Sequence, residues 1–294
     1  GGATLYGQEK DNATVGLAKM NMILHNEIYA DIRQGDTIND PQFKEGDQLK
    51  TFDYIVANPP FSTKSWLKSA KFEDEYHRWG EGIKIGVPPE KNGDYAFLLH
   101  GLYHLKGNGT MAIVLPHGVL FRGAAEGKIR EKLLRSGNIY AVIGLPANLF
   151  YNTSIPTCII VLKKQRDLLE RDVLFIDASK KFNKGKKQNE MTDQHIAEVM
   201  ELYSKREIVE KESFLASFDD IEKNDFNLNI PRYVDNFEKE EEIDLNELLS
   251  EMKKTDEELQ QTQTEFMSLL KELTSPDEKI MSSLNNLIEK MEGR

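Results

Sequence analysis

Apolar residues in the first 165 positions form short β-branched runs, separated by stretches with helical spacing. Strand-like runs occupy positions 3–9, 28–33, 52–57, 111–115, 139–145 and 157–163, and a further run lies at 173–177. Stripes of helical spacing lie at 12–24, 93–106 and 124–136, and Gly107 and Gly109 are expected to end the second of these helices. The alternation predicts a doubly wound α/β sheet with an antiparallel strand near Cys158.

One of these strands ends at the tetrapeptide Asn58-Pro59-Pro60-Phe61. The strand at 52–57 is short, apolar and β-rich, which predicts burial within the sheet. Prolines have no N–H to donate to a ladder, so the strand must stop there. Asn58 is therefore expected at the carboxyl end of a strand, where open α/β sheets hold their ligands.

The tetrapeptide suits methylation of an exocyclic amine, whose lone pair is delocalised into an aromatic ring. The Asn58 side-chain oxygen and the Pro59 carbonyl can accept its two hydrogens and direct the lone pair outward. Pro60 restricts the residue before it, so that carbonyl is held in advance, and Phe61 offers a face for stacking a purine. A simple turn would explain the asparagine and one proline, but not the full run after a strand.

Two acidic residues follow neighbouring strands. Glu9 suits the ribose diol of a nucleotide, because a carboxylate accepts from both hydroxyls. Asp36 could accept a hydrogen bond from a cofactor adenine amino group. An exposed acid at a helix start and a turn aspartate are the alternatives. Glu9, Asp36 and Asn58 are expected along one rim of a parallel sheet.

Two loops could complete such a site. The polar stretch 62–92, with Trp66, Arg78 and Trp79, is either a lid facing DNA or a surface insertion. In the loop 146–157, Phe150 could close a base sandwich opposite Phe61, or merely staple the loop.

Length and composition bear on the number of domains, on DNA binding and on the cellular compartment. The chain has 294 residues, 39% of them hydrophobic, and a net charge of -11, which argues against autonomous DNA binding. Its one cysteine excludes internal disulfides and suits the cytoplasm. No signal peptide or membrane-spanning run is apparent. We expect a catalytic domain over 1–170, its C-terminal part with a basic loop over 171–242, and a helical segment over 243–294.

The C-terminal segment carries a heptad pattern. Leu245, Met252, Leu259, Phe266 and Leu273 recur every seven residues, which predicts a coiled-coil helix. Ser275-Pro276 predicts the start of a second helix, with Ser275 as its cap. The pair could form a self-contained hairpin or pack on a partner. The lysine-rich run 179–188 could touch a DNA backbone or form a solvated loop.

Five motifs in this order resemble the modification subunit of type I restriction–modification systems, an adenine-N6 DNA methyltransferase. They are 5–9, 18–22, 58–62, 149–157 and 228–234. The resemblance implies S-adenosylmethionine as cofactor, duplex DNA with a flipped adenine as substrate, and a specificity subunit, a second modification subunit and a restriction subunit as partners. It also implies that Glu9 binds the cofactor ribose and Asp36 its adenine, while Asn58 to Phe61 hold the target adenine and Phe150 stacks on it.

The chain departs from this family at its beginning. Family members carry an N-terminal helical region and a first strand with a glycine-rich loop, and neither precedes Glu9 here. We therefore expect a sheet without its first strand, and a fragment that binds S-adenosylmethionine weakly and is inactive alone. An rRNA amino-group methyltransferase and a non-catalytic assembly scaffold remain alternatives.

Overall fold

The computed structural model describes residues 2–67, 74–80, 85–151, 153–235 and 245–292. The chain divides into two compact units, Gly1–Asn236 and Phe237–Arg294. The strands are β1 (Tyr6–Glu9), β2 (Asp31–Gln34), β3 (Lys44–Glu45), β4 (Gln48–Leu49), β5 (Phe52–Ala57), β6 (Leu105–Pro116), β7 (Ile139–Gly144), β8 (Thr157–Lys163), β9 (Val173–Asp177), β10 (Asn183–Lys184), β11 (Asn189–Glu190) and β12 (Ser213–Ala216). The helices are α1 (Asn12–Leu24), α2 (Asp94–Tyr103), α3 (Ala124–Arg135), α4 (Asp193–Lys205), α5 (Phe218–Lys223), α6 (Leu245–Glu272) and α7 (Glu278–Glu292), with 3-10 turns at His117–Leu120 and Ile230–Arg232.

A six-stranded sheet in the order β12-β9-β7-β8-β6-β5 forms the centre of the first unit. β5 runs parallel to β6 and β7 parallel to β9, whereas β8 is antiparallel to both of its neighbours. The predicted α/β sheet with an antiparallel strand at Cys158 is thus confirmed. Apolar side chains of α2 and α3 are buried with this sheet and form its core.

β5 lies at the edge of the large sheet, while β1 and β2 form a separate parallel pair. The expectation of one sheet holding all three strand ends is therefore wrong, and so is the expected burial of β5. The Tyr54 and Val56 side chains project from the same face of this edge strand and are 81% and 85% exposed, so that face is not covered. The Tyr6 ring contacts Phe52 at 5.2 Å between centroids and so packs the small sheet against β5.

Gly107 and Gly109 lie inside β6 and do not end α2, which stops at Tyr103. A Cβ atom on Gly109 would approach the Asp53 carbonyl to 2.9 Å. The glycine thus allows β5 to come close where the register between the two strands shifts. Spacing alone could not reveal this, because the reason lies in a neighbouring strand.

The C-terminal part of the first unit closes over the same sheet. β9 pairs with β7, so residues on either side of position 170 share one sheet. The ring of Tyr233 stacks on Phe175 with centroids 3.9 Å apart and planes 8° apart. The motif at 228–234 therefore packs into the core.

In the part of the chain that the structure describes, no helix is long and apolar enough to cross a membrane.

The second unit consists of α6 and α7 in its described residues. The predicted heptad helix is confirmed as α6, and side chains such as Met252 and Leu259 are more than half exposed along it. The predicted cap at Ser275 is wrong. α7 begins at Glu278, and the residue before it acts as the cap: the Asp277 carboxylate accepts the Lys279 N–H at 2.8 Å.

Candidate active site

The tetrapeptide Asn58 to Phe61 leaves β5 at its carboxyl end and is open to solvent. Asn58 and Pro60 are exposed, and Pro59 and Phe61 are partly buried. Within the described residues, neither the Asn58 side chain nor the Pro59 carbonyl has a hydrogen-bond partner. Both oxygens are therefore available as acceptors.

The backbone just after this tetrapeptide is firmly held. Ser62 lies in the left-handed region with φ 51°, and its N–H donates to the Asp94 carboxylate at 2.7 Å. The Thr63 hydroxyl donates to the Pro60 carbonyl at 3.1 Å, and the Gly93 N–H donates to the Thr63 carbonyl at 3.0 Å. The start of α2 thereby fixes the loop that presents Asn58.

Asp94 is fully buried at the first position of α2. Its second carboxylate oxygen accepts from Arg122 at 2.5 Å, and Arg122 also pairs with Glu126 at 2.6 Å. One carboxylate thus joins the loop, α2 and the residues before α3. Asp94 cannot be recognised from the sequence alone, because an acid in the first turn of a helix is ordinary.

The structure brings the Phe61 and Phe150 rings into contact edge to face, not as the parallel pair that the predicted base sandwich requires. Their ring centroids are 6.3 Å apart and their planes lie at 80°. A base stacked between them needs the two rings parallel, so Phe150 has to turn when a base enters. Its loop is closed by hydrogen bonds from Leu145 N–H to the Thr157 carbonyl at 2.9 Å and from Asn148 N–H to the Ser154 carbonyl at 3.3 Å.

Glu9 and Asp36 lie at the same end of the small sheet, because Glu9 pairs with Gln34 in register. The Glu9 carboxylate accepts the Asp11 N–H at 2.9 Å. Asp36 accepts from Asn39 and pairs with Lys10 at 2.9 Å. Partial burial opposes ionisation of Asp36, but these hydrogen bonds outweigh it and lower its pKa to about 2. Asp36 is thus an ionised acceptor at neutral pH.

Hydrogen bonds connect this acidic rim to the segment after Phe61, although their strands are not paired. The Asn39 side-chain amide donates to the Asp36 carboxylate at 3.0 Å and to the Trp66 carbonyl at 2.7 Å. Arg78 donates to the neighbouring Ile38 carbonyl at 2.7 Å. These hydrogen bonds connect the part of the chain that carries Glu9 and Asp36 to the part that carries the tetrapeptide.

Of the two alternatives for the stretch 62–92, the structure does not support a lid in which Trp66, Arg78 and Trp79 face DNA. The two indoles are 3% and 1% exposed and pack edge-on at 5.3 Å. Arg78 is 2% exposed, and its guanidinium is engaged by the Asp74 carboxylate at 2.7 Å. These side chains anchor the segment to the core. Lys68 and Lys71, two basic residues of the same stretch that could also line such a lid, lie outside the described residues.

Arg78 also donates to the ring nitrogen of His100 at 2.7 Å, which requires a neutral imidazole. Burial, with His104 and Arg78 nearby, holds the pKa of His100 well below 6.5. Below about pH 6.5 the unfolded chain binds a proton that the folded chain does not, so stability falls as the pH drops, by up to about 1.4 kcal/mol per unit. Urea unfolding at about pH 7.5 and pH 5.5 measures this loss, which His100→Gln should reduce by about 1 kcal/mol.

The exposed His25 provides the control for this experiment, since His25→Gln removes a histidine that is already in solvent. The loss of stability should stay unchanged in that variant. An equal reduction in both variants would show that His100 does not cause the acid sensitivity.

Comparison with known proteins places these features in a family. Residues 2–242 match the profile of the family described as N-6 DNA Methylase. The chain is 34% identical to the type I restriction enzyme MjaIX methylase subunit of Methanocaldococcus jannaschii, over 79% of this chain and 42% of the relative. It is 35% identical to the MpnII methylase subunit of Mycoplasma pneumoniae, over 83% of this chain and 45% of the relative.

A solved structure supports the same assignment. The type I restriction-modification system methyltransferase subunit from Streptococcus thermophilus is 51% identical with a TM-score of 0.72, over 79% of this chain and 48% of the other. The chain spans less than half the length of these relatives. The profile match covers most of the chain and includes β5, its Asn-Pro-Pro-Phe terminus and the Phe150 loop. The chain therefore belongs to the N-6 DNA methylase family.

Proposed function

We propose that this chain supplies the target-base side of an enzyme that transfers a methyl group from S-adenosylmethionine to adenine N6 in DNA. The supporting observation is the solvent-open tetrapeptide at the end of β5, in which Asn58 and Pro59 present two unpaired acceptors beside Phe61. Family membership agrees with this reaction. The roles of Asn58, Pro59, Pro60, Phe61 and Phe150 belong to the proposal.

The two acceptors act on the hydrogens of the adenine amino group. The Asn58 side-chain oxygen takes one hydrogen bond and the Pro59 carbonyl takes the other, which draws the nitrogen lone pair out of the ring. With its lone pair so directed, the amino nitrogen would receive the methyl group that S-adenosylmethionine supplies, and orientation by Asn58 and Pro59 would provide most of the rate. One N6 proton then leaves to solvent, which reaches Asn58 because its side chain is exposed.

Glu9 and Asp36 fit the nucleoside part of S-adenosylmethionine by their chemistry. A carboxylate accepts from both hydroxyls of a ribose diol, and an ionised aspartate accepts from an adenine amino group. Lys10, which now pairs with Asp36, has a side chain that is 68% exposed and is free to move aside. The cofactor supplies an electrophilic methyl group on sulfur. These two residues would hold and orient its nucleoside.

We further propose that the enzyme reads DNA through partner subunits in the cytoplasm. A net charge of -11 gives the chain little affinity of its own for a polyanion. The proposed partners are a specificity subunit, a second modification subunit and a restriction subunit. The half-exposed apolar positions of α6 and α7, such as Leu259 and Ile280, are the proposed assembly surface.

Radiolabelled methyl transfer tests the proposal. The native complex should label duplex DNA and not rRNA, and nuclease digestion with mass spectrometry should identify N6-methyladenine. The 294-residue chain alone should transfer no methyl group, because its net charge of -11 gives it little affinity of its own for DNA. Label on rRNA, or on another atom of DNA, would contradict the proposed function.

A further inference from the structure

The short hairpin formed by β10 and β11 carries the densest positive charge in an acidic chain. From 178 to 189 there are five lysines and no acidic residue, whereas the whole chain has a net charge of -11. A local excess of positive charge on a chain of negative net charge is the electrostatic pattern typical of a phosphate-binding surface.

The side chains of three of these lysines extend into solvent. Lys184, Lys186 and Lys187 are exposed and form no ion pair with any described residue. Lys181 differs, because the carboxylates of Glu198 and Glu212 hold its amine at 2.9 and 3.1 Å. The three lysines at the hairpin tip therefore leave the hairpin with a net positive charge despite Glu190 at the end of β11, while Lys181 at its base is held in ion pairs.

The hairpin has a defined shape. Asn183 pairs with Glu190 and Lys184 with Asn189 in an antiparallel ladder. A Cβ atom on Gly185 would lie 2.2 Å from the Gln188 carbonyl oxygen, so the turn closes only with glycine at that position. The three lysines are thus held on a tight turn.

Three hydrogen bonds attach this hairpin to the loop that carries Phe150. The Asn189 N–H donates to the Asn148 carbonyl at 2.8 Å, and the Asn189 side-chain amide donates to the Ala147 carbonyl at 2.8 Å. The Asn148 side-chain amide donates to the Lys187 carbonyl at 3.4 Å. The lysines therefore lie on a hairpin that is hydrogen-bonded to the Phe150 loop. The centroid of the Phe150 ring is 6.3 Å from that of Phe61.

We infer that Lys184, Lys186 and Lys187 bind backbone phosphates of the DNA strand beside the extruded adenine. An enzyme that extrudes a base has to hold the backbone on either side, and lysines on a rigid turn supply that hold without reading sequence. The same hairpin braces the Phe150 loop through Asn189. The inference rests on the proposed function, because it assigns residues that hold the DNA substrate at the proposed methylation site.

The salt dependence of DNA binding tests this inference in the native complex. Each phosphate contact contributes about 0.9 to the slope of log K against log salt concentration. Replacing Lys184, Lys186 and Lys187 together by glutamine should therefore reduce the slope by about 2–3, measured on sheared genomic duplex DNA. The matched control replaces Lys128, Lys132 and Lys223, exposed lysines of α3 and α5, and changes the net charge equally. Its slope should equal that of the unaltered complex.

Each outcome decides between distinct explanations. An unchanged slope in the hairpin variant, or an equal fall in both variants, would overturn the inference, since the latter is a bulk charge effect. If the complex methylates adenine and the slope is unchanged, the hairpin inference fails alone. If the slope falls only in the hairpin variant but no N6-methyladenine forms, the phosphate surface stands and the proposed reaction fails. Thermal unfolding of both variants checks that the fold is retained.

Discussion

Replacing Asn58 by alanine in the native complex should lower the methylation rate at saturating DNA about a hundredfold to a thousandfold. The variant loses an acceptor that acts on the N6 hydrogens in the transition state, and the Pro59 carbonyl alone cannot draw out the lone pair. Because Asn58 is exposed and has no partner among the described residues, its removal should leave stability unchanged. Single-turnover methyl transfer and thermal unfolding measure the two effects.

Asn21→Ala is the matched control, since Asn21 is an exposed asparagine on α1. Its methylation rate should remain that of the unaltered complex. DNA affinity should change little in either variant, because phosphate contacts supply most of it. A complex that keeps its full rate with Asn58→Ala would favour the scaffold alternative over a catalytic role for this chain.

Replacing Asp94 by alanine should destabilise the first unit by about 2–4 kcal/mol and also impair methylation. The substitution leaves the Ser62 N–H and the Arg122 guanidinium without their buried acceptor. Arg122 is one-third exposed and keeps its pair with Glu126, which moderates the cost. Denaturant unfolding of the chain measures the stability change.

Two further variants separate the roles of this carboxylate. Asp94→Asn keeps an oxygen for the Ser62 N–H but loses the charge that Arg122 binds, so it should recover methylation more fully than stability. Asp219→Ala removes an exposed aspartate from the first turn of α5 and should change neither. If Asp94→Asn lost methylation as completely as Asp94→Ala, the link from Asp94 to the tetrapeptide would not be supported.

Most strands of the large sheet could be predicted from the sequence, because runs such as Thr157–Lys163 are apolar and β-branched throughout. The position of each strand within the sheet is harder to predict from the sequence. The run Phe52–Ala57 is apolar like its neighbours, yet it lies at an edge, and this depends on which strands pair. Gly107 and Gly109 were misjudged for the same reason, since glycine ends helices and also allows strands to approach closely.

The candidate site shows the same division. Phe61 and Phe150 lie in contact, as the sequence predicts, although they are 89 positions apart along the chain. By contrast, a DNA-facing position for Arg78 stays open on the sequence alone, because the sequence does not show that Asp74 and the Ile38 carbonyl engage it. Contacts between distant polar groups leave no periodic pattern, and therefore spacing could not reveal them.

The position of β5 has a consequence for handling the protein. An edge strand presents a row of backbone donors and acceptors on which other extended chains can assemble. Natural sequences often discourage this with a charge, but the Asp53 carboxylate here is neutralised by Lys106 at 2.9 Å. The apolar Tyr54 and Val56 side chains beside it are exposed. A high protein concentration should therefore promote self-association of the chain, and storage at low concentration should reduce it.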